Sequence, residues 1–117
     1  MAYYGTSGIA MFINFAGDGT PSIRQSRRIA SITDHGTGDY ALNFSFTVVD
    51  SSSSVNDEYA AVGSVGDNGN FTGGYNPERI IKFSNYGNGG IRIRCRNSAG
   101  GANDETAISC IITGVFN

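Results

Sequence analysis

Tyr40, Leu42, Phe44, Phe46 and Val48 occupy every second position of one run, with Ala41, Asn43, Ser45 and Thr47 between them. Side chains of a β-strand point alternately to its two faces, so this spacing makes one apolar face and one polar face and fits no helix. Ile9, Met11, Ile13 and Phe15 repeat the pattern near the start of the chain. Helical spacing builds up nowhere, because glycine, serine, threonine and asparagine interrupt every window; glycine alone supplies 17 of the 117 residues. The sequence predicts an all-β chain.

Weaker strand patterns run from Ser22 to Thr33, Glu58 to Val65, Arg79 to Ser84, Ile91 to Asn97 and Ala107 to Phe116. Turn chemistry separates them: Gly17-Asp18-Gly19-Thr20-Pro21, Asp34 to Asp39, the run containing Ser51-Ser52-Ser53-Ser54, Gly66 to Pro77, Asn85 to Gly90, and Ser98 to Thr106. No gap is long enough for a crossover helix, so the strands should pair antiparallel. The expectation is one domain over residues 1–117, an antiparallel β-sandwich of about seven strands. In the second region Ile23, Ile29 and Ile32 do not keep one parity, which calls for a bulge or break near Gln25-Ser26. A small β-domain leaves sheet edges open, and symmetric association covers them, so a homo-oligomer is expected.

Cys95 and Cys110 are too few for a disulfide scaffold and lack the partners of a zinc site; they read as reduced, buried small hydrophobes. They would lie opposite each other only if Ser98 to Thr106 closed a symmetric hairpin. No run approaches the apolar length of a membrane helix and no secretory leader is evident, so membrane insertion is not expected.

All eight basic residues fall in two segments, Arg24, Arg27 and Arg28, then Arg79, Lys82, Arg92, Arg94 and Arg96. The alternation in Ile91-Arg92-Ile93-Arg94-Cys95-Arg96 puts three guanidinium groups on one strand face, roughly 7 Å apart. They form either a solvated, salt-bridged face or an anion-binding strip for phosphate or carboxylate groups of a surface polysaccharide. Nucleic acid is disfavoured by a net charge of −2 and by the absence of aromatics among the arginines. Phe71, Tyr75 and Tyr86 are expected in loops rich in glycine and asparagine, where they would either cap the core or supply contact surface for a glycan or protein receptor.

Catalytic signals are weak. His35 stands alone in a turn, Asp104 and Glu105 would need a further carboxylate across a groove, and Asp67-Asn68-Gly69-Asn70 lacks the acid that completes a calcium loop. No enzyme activity, metal or cofactor is expected.

Met11-Phe12-Ile13-Asn14-Phe15, then Gly17-Asp18-Gly19-Thr20, Ile23-Arg24-Gln25-Ser26 and the run from Ile29 through Thr33-Asp34-His35-Gly36-Thr37-Gly38-Asp39-Tyr40 to Phe44 resemble a recurring module of tailed-bacteriophage tail-fibre and virion proteins. The resemblance spans about residues 10 to 49. It departs at Met11-Phe12, where the module carries tryptophan, and at His35, where it carries asparagine. Such modules lie near the carboxyl ends of fibres, so the resemblance implies a structural or adhesive role in the virion, assembled in the host cytoplasm. The chain would be a homotrimeric tail-fibre or spike tip that meets other virion proteins and binds a host-surface glycan or protein. Phe71, Tyr75, Tyr86, Arg92, Arg94 and Arg96 are the candidate contacts. The alternative is a capsid decoration (cement) protein with no host-binding role. Either a fragment carrying a fibre tip or a short self-contained virion protein would fit.

Overall fold

A computed structural model of the chain describes residues 11–45, 59–66 and 79–114. Eight strands are present among them: β1 (Met11–Ala16), β2 (Ser22–Arg27), β3 (Ile29–Asp34), β4 (Asp39–Phe44), β5 (Ala60–Gly66), β6 (Arg79–Gly87), β7 (Gly90–Asn97) and β8 (Ala107–Thr113). They form two four-stranded sheets, a first in the order β2-β1-β8-β5 and a second in the order β3-β4-β7-β6, with every pairing antiparallel. The described residues contain no helix.

The core follows from the alternation. Each central strand turns three alternate side chains inward: Met11, Ile13 and Phe15 from β1; Ile108, Cys110 and Ile112 from β8; Tyr40, Leu42 and Phe44 from β4; Ile91, Ile93 and Cys95 from β7. Burial of each large apolar side chain contributes about 1.5 to 3 kcal/mol. Phe15 and Tyr40 meet edge to face, with ring centroids 5.3 Å apart, and so join the two sheets.

The expected second strand is two strands, which raises the count from seven to eight. Arg28 has a φ of 64° and ends the first ladder, after which the chain pairs in the other sheet. A bulge also occurs where parity demanded one: Asn14 faces Gln25 and Phe15 faces Ile23, leaving Arg24 unmatched. Both devices lie within three residues of the expected break.

The connection after β7 crosses from the second sheet to the first and closes no hairpin, so Cys95 and Cys110 belong to opposite layers. Both are buried free thiols. Burial pushes both thiols up to about 12, which keeps them protonated at neutral pH.

Phe71, Tyr75, the serine run and Asp67-Asn68-Gly69-Asn70 lie outside the described residues, as do the expected strand ends at Ile9, Phe46, Val48 and Phe116.

Candidate functional site

Because Ile91, Ile93 and Cys95 are held in the core, Arg92, Arg94 and Arg96 must project from the outer face of the second sheet. Register fixes their neighbours. Arg92 lies between Ala41 and Ser84, Arg94 lies between Asp39 and Lys82, and Arg96 faces Ile80. The face thus gathers four cations around one acid. The Arg92 Nε donates to Asp39 Oδ1 at 2.6 Å and its Nη2 to Oδ2 at 2.9 Å, a two-pronged pairing. Arg94 reaches the same carboxylate only at 3.8 Å.

The hydrogen bond from Arg92 holds the Asp39 carboxyl below its ordinary range against the opposing effect of burial, and the same contact raises Arg92. A depressed carboxylate stabilises the fold above its unfolded value near 3.8, and that contribution is lost as pH falls through the folded value. Beyond Ala41 the polar side of the face continues: Asn43 Nδ2 donates to Ser31 Oγ and Thr33 Oγ1, each at 3.0 Å.

The β3–β4 turn anchors Asp39. Asp34 Oδ1 accepts from the Gly36 amide at 2.9 Å, the His35 amide donates to Asp39 O at 2.9 Å, and Gly36 and Gly38 take positive φ. His35 itself is exposed at the tip. Asp104 and Glu105 brace this end from behind. Asp104 Oδ1 accepts from the Gly38 amide and from Tyr40 Oη, each at 2.7 Å. Glu105, the one buried charged side chain among the described residues, accepts from Arg79 and Asn103. Burial, then the hydrogen bond to Asp104, raises the Tyr40 hydroxyl, which therefore stays a donor.

Of the sequence candidates, the three arginines stand together on one face. Tyr86 lies elsewhere, and in strand β6 rather than in the expected loop, because the ladder with β7 runs on to Gly87: half-buried, it packs on the core with its ring centroid 5.0 Å from that of Tyr59. Lys82 and Asp39 were missed as members of the arginine face. Asp39 reads as a turn residue, and only the pairing of β4 with β7 brings it beside Arg92.

The outer face of the first sheet differs in chemistry. Phe12, Ile111 and Val62 lie side by side across β1, β8 and β5, and Val62 is 61% exposed. Val62 and Ile111 help line a shallow hollow of about 220 Å³. The next rung is polar, with Asn14 Nδ2 donating to Ser109 Oγ at 2.7 Å beside Ser64. β1, β8 and β5 turn no charged side chain outward.

No family model, curated protein or solved structure matches the chain.

Proposed function

We propose that the chain is a virion module of a tailed phage, the tip of a tail fibre or spike, that attaches to a host-surface glycan or protein as a homotrimer. The observation that carries this reading is the outer face of the second sheet. There Lys82, Arg92, Arg94 and Arg96 surround a single acid, Asp39, on a chain whose net charge is −2. A sheet face dominated by one sign suits an extended ligand laid along the strands better than a small molecule held in a pocket. The resemblance over residues 10 to 49 adds support, since its closest stretch forms the β3–β4 hairpin that positions Asp39.

Self-association uses the other face. Copies of the cationic face repel one another, whereas Phe12, Ile111 and Val62 form an apolar row, bounded on β2 by Arg27 opposite Phe12, that gains by being covered. Three linked copies multiply weak contacts with a repetitive surface.

The test is binding of the labelled chain to host cells and, in parallel, to tailless capsids. Cell binding that intact phage competes away supports attachment. Binding restricted to capsids identifies a decoration protein and overturns it.

A further inference from the structure

Lys82 and Arg94 stand directly opposite each other on β6 and β7, an arrangement of like charges that destabilises a sheet. The nearest acid to Arg94, Asp39, is already engaged through both oxygens by Arg92. Neither Lys82 nor Arg96 has an ion-pair partner among the described residues. Lys82 and Arg96 therefore flank an Arg94 whose one acid, Asp39, is 3.8 Å away and engaged more closely by Arg92, so the three cations together exceed the negative charge beside them.

Resting on the attachment reading, we infer that the outer face of the second sheet binds a linear polysaccharide bearing phosphate or carboxylate groups, one such group seated among Lys82, Arg94 and Arg96. The guanidinium of Arg94 offers a forked donor to the anion and Lys82 a point charge from the neighbouring strand. Arg92 is a positioning residue for this site: it engages both oxygens of Asp39 at 2.6 and 2.9 Å and leaves Arg94 only a 3.8 Å contact with that carboxylate. The sugar portion runs toward Ser84 on one side and toward Asn43, Ser31 and Thr33 on the other, whose amide and hydroxyl groups match carbohydrate hydroxyls. The outward positions paired across β3, β4 and β7, and along β6 from Ile80 to Ser84, carry no aromatic ring on which bases would stack. Ile80 is the one large apolar group exposed there, which offers little to a lipid.

The full chain is titrated with a phosphomannan, a polygalacturonate, neutral dextran and a single-stranded oligodeoxynucleotide. Binding to either anionic polysaccharide but not to dextran is expected, and the tighter of the two assigns phosphate or carboxylate as the recognised group. Lys82→Ser and Arg94→Ser each weaken binding about ten-fold, the loss of one charge-assisted hydrogen bond. Arg24→Ser, on β2 of the other sheet, leaves it unchanged. Lys82→Ser melts no lower than the parent because it removes the repulsion across β6 and β7, which separates lost binding from lost folding. Unaltered affinity in Lys82→Ser and Arg94→Ser, or tighter binding of the oligodeoxynucleotide than of both polysaccharides, overturns the inference. Host-cell binding that survives both substitutions also overturns it and leaves attachment standing. Polyanion binding by a chain that ignores host cells supports the site and overturns attachment alone.

Discussion

Gly38 is where a single residue controls the most geometry. It takes a φ of 62°, and a Cβ there would lie 2.6 Å from the carbonyl oxygen of Cys95 and 2.7 Å from that of Asn103. Its amide donates to Asp104 and its carbonyl accepts from the Cys95 amide, so the turn is clamped between β7 and the segment that follows it. Gly38→Ala must part these backbones, and a loss of about 2 to 4 kcal/mol in urea unfolding is expected. Gly19, at a similar φ of 65° with open space around it, provides the comparison: Gly19→Ala should cost only about 1 to 2 kcal/mol. The turn itself was legible, because Asp34 and Gly36 announce their own local hydrogen bond. Which glycine is pinned was not, since the atoms that pin Gly38 come from residues far along the chain.

Among the elements, alternation disclosed the central strands and their buried faces, from Met11 through Phe15 and from Tyr40 through Phe44. It failed where one extra residue reverses parity. Gly87 pairs with Gly90, and an unbroken hairpin counted back from there would set Lys82 against Cys95, toward the core. A bulge between Ser84 and Gly87, with Asn85 at a φ of 49°, moves the register so that Lys82 opposes Arg94 on the outside. The cationic face therefore depends on a bulge that hydrophobic spacing does not reveal. Asn85→Val places a β-branched side chain in the left-handed region and should destabilise the chain by about 1 to 2 kcal/mol in thermal unfolding. Asn85→Gly suits the same conformation and should leave both stability and polyanion binding near the parent values.

For the whole molecule, the two outer faces differ: a cationic cluster across β7 and β6 on one, and on the other an apolar row across β1, β8 and β5 that ends at Arg27 on β2. Charge along the sequence anticipated the first, because three arginines alternate with buried residues in one strand. The second was hidden, since Phe12, Val62 and Ile111 come from three separate segments and meet only through the pairing of β1, β8 and β5. If the proposed trimer forms through this row, light scattering should give the mass of three 12.3 kDa chains. Val62→Lys, placing a charge at the most exposed position of the row, should return the mass of one while leaving the fold intact. A single-chain mass for the parent overturns the trimer.

Only Arg28 stands between β2 and β3, so the chain passes from one layer to the other without slack. A mechanical load on either hairpin consequently reaches the other through covalent bonds and not through side-chain packing alone. Tension across such a body is shared by both layers from the outset, a useful property in a link held between a particle and a surface that pulls against it.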